Sequence, residues 1–232
     1  MAWCILPIHH NINLHARRVE RWLGVVNCLT IDFDIIMAPS IGLYNDCIGD
    51  DWSIQGIEKE YPAVPMVLPP DYYLYQYLTS FLIQQFKKMD ASKIFFIKSH
   101  ETAAKLLEGH TGVNLCNIDH HHDVGYENVR ARTKIFKPDS GNWIKYLKDK
   151  KIIDTYLWVH NSNSTFPIKE LTTNYIDADR ELKQMDLDNI PEQIDLLIIC
   201  NSPEWIPSLY QPLWDIWLTI AESWYGAEFE VI

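Results

Sequence analysis

Four short apolar runs constrain this chain more than any other feature: Val25 to Ile31, Lys93 to Ile97, Val113 to Ile118, and Leu196 to Cys200. Each is continuous rather than alternating and only a few residues long, the pattern of a strand buried on both faces. Thr155 to Val159 is a fifth candidate strand. Helix-like segments lie between them at Tyr72 to Met89, Thr102 to Leu107, Asn142 to Asp149 and Pro212 to Tyr225. Further helices are expected near His15 to Leu23 and Asp177 to Met185. Strands alternating with helices predict a three-layer α/β fold, a mainly parallel sheet with helices on both faces. Pro62, Pro65, Pro69 and Pro70 punctuate the chain before the Tyr-rich helix, Ser99 is placed to cap the next one, and Lys134 to Gly141 reads as a loop. No repeat or linker divides the 232 residues, so 1–232 reads as one domain, with 1–24 as an N-terminal extension.

Composition narrows the function classes. Apolar residues make up 47% and charged ones 22%, enough for a large core and against disorder. The formal charge is -11, from 20 Lys+Arg against 31 Asp+Glu, which disfavours nucleic acid and favours a cationic substrate. No stretch approaches the roughly 20 apolar residues that span a bilayer, and the N-terminus lacks the basic and apolar regions of a signal peptide. The 5 cysteines form no CxxC and no regular spacing. Cys28, Cys116 and Cys200 lie beside or inside apolar runs, as small core residues do. A cytoplasmic location is expected, with no membrane partner.

In open α/β sheets, ligands gather beyond the carboxyl ends of the strands. Here the runs are followed by Asp32-Phe-Asp34, by Ser99-His100-Glu101, by Asp119-His-His-His-Asp123, and by Asn201-Ser-Pro-Glu204. A spacing of two places Asp32 and Asp34 on one face of an extended segment, and does the same for Asp119, His121 and Asp123. Full extension would spread the latter three over about 13 Å, so the segment must curl if all serve one centre. Gly125 permits a bend just beyond. A lone D-x-D is often a cap or surface turn. Five consecutive ionisable residues after Leu-Cys-Asn-Ile are costly to bury unless paired or metal-bound. With His100, the set comprises four carboxylates and two imidazoles, about what a pair of divalent ions requires. Mn suits that donor set best, with Fe and Zn as alternatives.

At these residues the chain resembles the arginase-fold metallohydrolases, which carry a lone histidine, a D-x-H-x-D segment and a D-x-D pair around two Mn ions. His100 matches the histidine, Asp119, His121 and Asp123 the segment, and Asp32 and Asp34 the pair. The D-x-D comes first here rather than last, Asp-Pro does not follow it, and the chain is short. Those features resemble the compact, rearranged peptide arginase branch. So do Ser99-His-Glu, Ile118-Asp-His-His, Cys200-Asn-Ser-Pro-Glu-Trp205 and, less closely, Asn142-Trp143 and Trp158-Val-His-Asn161. The resemblance covers most of residues 25 to 210. It implies two Mn2+ ions per chain and an Arg-containing peptide substrate. A metal-bridging hydroxide would attack the guanidinium, giving ornithine and urea. Asp32 and Asp119 would each bridge both ions, and Asp123 would orient the water. Glu204 is the first candidate for gripping the guanidinium fork and Glu101 the second; each also reads as an acid in a first helical turn. The proton carrier to the amine would be His122, His120 or His160. A small-molecule ureohydrolase and a non-catalytic metal-stabilised binding protein are the alternatives.

Two aromatic groupings complete the reading. Trp205, Trp214, Trp217 and Trp224 form a helical stripe, read as core or as a homo-oligomer interface. Tyr72, Tyr73, Tyr75 and Tyr77 are read as packing. His9, His10 and His15 have no carboxylate frame and are assigned to a surface or an oligomer contact.

Overall fold

The computed structural model describes residues 25–36, 70–125, 137–161, 164, 175–182, 190, 193–203 and 206–232. The expected helix at His15 to Leu23, Pro62, Pro65, Pro69, Glu204 and Trp205 lie outside them. Six strands form one sheet: β1 (Val26–Asp32), β2 (Ile94–Ile97), β3 (Val113–Ile118), β4 (Ile153–His160), β5 (Ala178–Glu181) and β6 (Leu196–Cys200). Their order is β2-β6-β1-β3-β4-β5, and every pairing is parallel. The chain leaves β1 to one side, returns as β3 on the other, and continues outward through β4 and β5. The reversal falls between β1 and β3, where such folds place their ligands.

Among the described residues, four α-helices cover the two faces: α1 (Tyr72–Lys88), α2 (His100–Leu107), α3 (Trp143–Asp149) and α4 (Gln211–Tyr225). Asp71 caps α1 by accepting from Leu74 N at 2.9 Å, and Lys87 and Lys88 close it where the helix dipole favours cations. Gly226 ends α4 at φ 62, a left-handed position that glycine takes without strain. Ser99 caps α2 as expected, accepting from Glu101 N at 3.4 Å.

Because side chains alternate along a strand, β1 feeds both layers. Leu29 and Ile31 meet the α1 and α4 layer through Leu78, Phe86, Trp214 and Trp217. Val26 and Cys28 meet the α2 and α3 layer through Ala103, Leu107, Trp143 and Leu147. Trp214 and Trp217 are core residues, and Tyr75 stacks on Trp217 with ring centroids 5.6 Å apart. Trp224, Tyr72 and Tyr73 are exposed, so packing explains only part of each aromatic grouping.

One expectation is corrected. Asp177 to Met185 was expected to be helical, but Ala178–Glu181 is the edge strand β5. Pairing with β4 overrides a local preference worth tenths of a kcal/mol per residue. Asp177 starts the pairing by accepting from Tyr156 N at 2.6 Å. An exposed, charged strand also suits a sheet edge.

Phe33 ties this core to the end of β1. It is fully buried, with its ring 5.0 Å from Trp217, 6.0 Å from Trp214 and 6.3 Å from Tyr75. Phe33→Ala is expected to cost about 3–5 kcal/mol, read as a lower denaturation midpoint at unchanged slope. A loss below about 1 kcal/mol would show that this packing does not anchor the strand end.

Candidate metal centre

Strand register sets the heights of the ligands. Cys200 pairs with Asp32 on one side and with Ile97 on the other, while Ile31 pairs with Ile118. The ends of β2, β6, β1 and β3 are therefore level. Asp119 follows Ile118 directly, its N–H donating to Val159 O at 3.0 Å. His100 follows Ile97 by three residues, at the start of α2. The geometry draws together all six expected metal ligands, and all six are buried.

Around His100 Nδ1 lie Asp123 Oδ2 at 3.0 Å, Asp32 Oδ2 at 3.4 Å and Asp119 Oδ2 at 3.6 Å. Around His121 Nδ1 lie Asp34 Oδ2 at 2.8 Å and Asp119 Oδ1 at 3.8 Å. Asp119 thus turns one oxygen towards each group. Two sets able to hold a cation share it, one of Asp34, Asp119 and His121, the other of His100, Asp119 and Asp123. A third set joins Asp32 and His100 to Cys200.

The D-x-H-x-D segment curls earlier than expected. Asp123 itself stands at φ 53, ahead of Gly125 at φ 100. A left-handed aspartate is uncommon and is held here by its surroundings. Trp143 Nε1 donates to Asp123 Oδ2 at 2.5 Å, and Ile144 N donates to its carbonyl at 3.2 Å. Gly125 N donates to Gly141 O at 2.9 Å.

Other buried partners orient the carboxylates. Ser202 Oγ donates to Asp32 Oδ2 at 2.6 Å, and Asp34 N to Asp32 Oδ1 at 3.2 Å. Thr30 Oγ1 donates to Asn117 Oδ1, whose amide in turn donates to Asp119 Oδ2 at 3.0 Å. Trp158 Nε1 donates to the Asp119 carbonyl at 3.0 Å. Ser202, Asn117, Thr30 and Trp158 were given no role from the sequence. Thr30 and Asn117 carried a usable signal, since a polar residue inside a strand buried on both faces needs a dedicated partner.

The remaining candidates separate clearly. His122 Nδ1 accepts from Val124 N at 3.2 Å, its carbonyl accepts from Tyr156 Oη at 3.0 Å, and its ring meets Trp158 edge-on. Those contacts suit holding the turn better than carrying a proton. His120 N donates to Asp34 Oδ1 at 3.4 Å, and its ring stands 5.0 Å from that of His121. His160 rests on Trp158, with Nδ1 2.9 Å from Asn161 O. Glu101 is 38% exposed and pairs with Lys105 at 3.1 Å, as a first-turn acid does, with no hydrogen bond to the carboxylate cluster among the described residues.

Electrostatics make the cluster one that could hold a cation. Among the described residues no lysine or arginine pairs with Asp32, Asp34 or Asp119; their partners are His100 and His121. Burial, reinforced by Asp34, pushes Asp32 up to about 8. Burial and then Asp123, Asp34 and Asp32 hold Asp119 well above the carboxylate range. Burial would also raise Asp34 and Asp123, but His121 holds the first low and His100 the second. Burial would lower the two imidazoles, yet Cys200 and Asp32 raise His100, and Asp34 raises His121. Burial pushes His120 and His122 down to about 4, so they stay neutral. Carboxylates and imidazoles without lysine or arginine are the donor set of a divalent ion.

No family model matches this chain, and neither a curated protein nor a solved structure matches it.

These shifts give the metal-free protein a definite pH response. Asp32 takes up its proton on folding, so its contribution is lost as pH rises towards 8. The raised His100 and His121 act in the same direction above the ordinary histidine value of 6.5. His120 and His122 act oppositely, but only below 6.5. The thermal midpoint of chelator-treated protein is therefore expected to fall between pH 6.5 and 8. Added Mn2+ should raise it, and by more at pH 8, because ligands must be deprotonated. A midpoint that rises over this window without metal, or ignores Mn2+, would contradict the site.

Proposed function

We propose that this chain is a dinuclear metal-dependent hydrolase that converts arginine side chains in a peptide to ornithine with release of urea. The carrying observation is the Asp119 carboxylate, whose two oxygens face two separate imidazole-carboxylate groups at the carboxyl edge of the sheet. The arginase-fold resemblance supplies the reaction class, and the six ligand positions that carry it all converge on this cluster. Asp32, Asp34, His100, Asp119, His121 and Asp123 would hold a pair of divalent ions, Mn2+ by donor type, which would supply the Lewis acidity that makes water nucleophilic near neutral pH.

The chain's own groups do the rest. Asp123, whose Oδ2 accepts from Trp143 Nε1 at 2.5 Å, is held in one carboxylate orientation and would orient the attacking water. The water oxygen bonds to the guanidinium carbon, the bond from that carbon to the side-chain nitrogen breaks, and both water protons end on the departing amine. Glu204 grips the guanidinium as a carboxylate grips a fork of donors. A peptide-borne arginine offers only that fork, whereas free arginine adds an amine and a carboxylate that need further partners. With His122 engaged by Val124 N, the proton relay falls to His120 or His160.

Metal content tests the centre. Asp119→Asn is expected to lose most of both ions, since each group uses one of its oxygens. Asp34→Asn should lose about half, because Asp34 serves only the His121 group. Equal metal content in wild type and both variants would overturn the assignment.

Urea release tests the reaction. With Mn2+ supplied, an Arg-containing peptide should release urea much faster than free arginine or agmatine. Glu204→Gln should slow that turnover by roughly 10²–10³-fold while leaving the ions bound. Free arginine turned over as well as any peptide would refute the peptide reading, and no urea from any guanidine would refute the hydrolase.

A further inference from the structure

We infer that Cys200 is a metal ligand, making the ion on the His100 side thiophilic while the ion on the His121 side keeps only oxygen and nitrogen donors. The inference rests on the dinuclear reading above and names a residue that the arginase-type ligand set does not contain.

Three observations carry it. First, Cys200 Sγ, an Asp32 carboxylate oxygen and a His100 ring nitrogen lie within 4.8 Å of one another. Adjacent ligands bound to one ion at about 2.0–2.3 Å stand roughly 3–4 Å apart, so an adjustment of about 1 Å separates this set from coordination. Second, the three groups come from three elements, the ends of β6 and β1 and the start of α2, and all are buried. Register pairing of Asp32 with Cys200 holds two of them side by side. Third, His100 Nε2 is buried without a hydrogen bond while Nδ1 faces the carboxylates, which leaves one ring nitrogen for a further partner. Ser202 reaches both flanking donors, 3.3 Å from Cys200 Sγ and 2.6 Å from Asp32 Oδ2, and can hold them for one centre.

Ligation exchanges the thiol proton for the ion; a metal–sulfur bond forms, the proton passes to solvent, and no electron moves. Sulfur biases this position towards Zn2+, Co2+ or Fe2+ over Mn2+, whereas Asp34, Asp119 and His121 give no such bias. The two positions would then load different ions from a mixture.

The test uses the full chain with metal alone. Co2+-loaded wild type should show a sulfur-to-cobalt charge-transfer band that is lost in Cys200→Ser, with circular dichroism confirming that the variant is folded. X-ray absorption on Zn2+-loaded wild type needs no variant and should show a sulfur shell at about 2.3 Å. Two bound ions with no sulfur band or shell would overturn the inference and leave the dinuclear reading standing. A band that persists undiminished in Cys200→Ser would also overturn it, by assigning the sulfur elsewhere. Retention of fewer than one ion per chain would overturn both.

Discussion

Four carboxylates buried at one edge of a sheet are the constraint on which the rest of the structure depends. Ionised carboxylates out of water are expensive unless matched by positive charge and hydrogen bonds. For Asp32, Asp34 and Asp119 the only ion-pair partners among the described residues are imidazoles. Without a cation the protein compensates by keeping protons, as the raised Asp32 and Asp119 show. The same groups that are poorly satisfied alone are the donor types that divalent ions take, so the electrostatic cost of the cluster and the metal affinity proposed for it have one origin.

Holding such a cluster requires a rigid frame, and the parallel sheet supplies it. Level strand ends bring Asp32, Cys200 and Asp119 to one height, and α2 begins where His100 can reach them. Phe33 shows how economically the chain does this. Its ring is buried among Trp214, Trp217 and Tyr75 in the α1 and α4 layer, while the flanking Asp32 and Asp34 meet His100 and His121. A core residue thereby separates and anchors two of the carboxylates proposed as ligands. Trp143 does the converse from α3, a fully buried ring whose one polar atom is spent on Asp123.

The parts legible in the sequence are those encoded by a period or a run. The continuous apolar segments marked four of the six strands and Thr155 to Val159 a fifth, and the spacings of two marked Asp32, Asp34, Asp119, His121 and Asp123, while His100 was marked by its place after a strand. The parts that were not legible depend on partners far along the chain. β5 exists because β4 offers it an edge, which outweighs the helix expected at Asp177 to Met185. The bend at Asp123 could be required by distance but not located, because Trp143 and Gly141 stabilise it from 16 residues or more away. Cys200 read as a small core residue because its neighbours in the run are apolar; only register against Asp32 reveals it as a donor.

The two halves of the cluster are built differently, and the difference has a structural cause. The His121 half is local: His121 and Asp119 share a single curled segment, joined by Asp34 from the turn after β1. The His100 half is assembled from β1, α2, the curl at Asp123 and, by the inference above, β6. It is also the half braced by Trp143 and Ser202, groups that orient ligands without binding an ion themselves. Such outer partners typically change metal affinity by about 10–100-fold. The half drawn from most elements therefore depends most on the intact fold, while the local half needs little beyond its own curl and Asp34. Asp119 belongs to both, so any movement of one half is passed to the other through a single carboxylate.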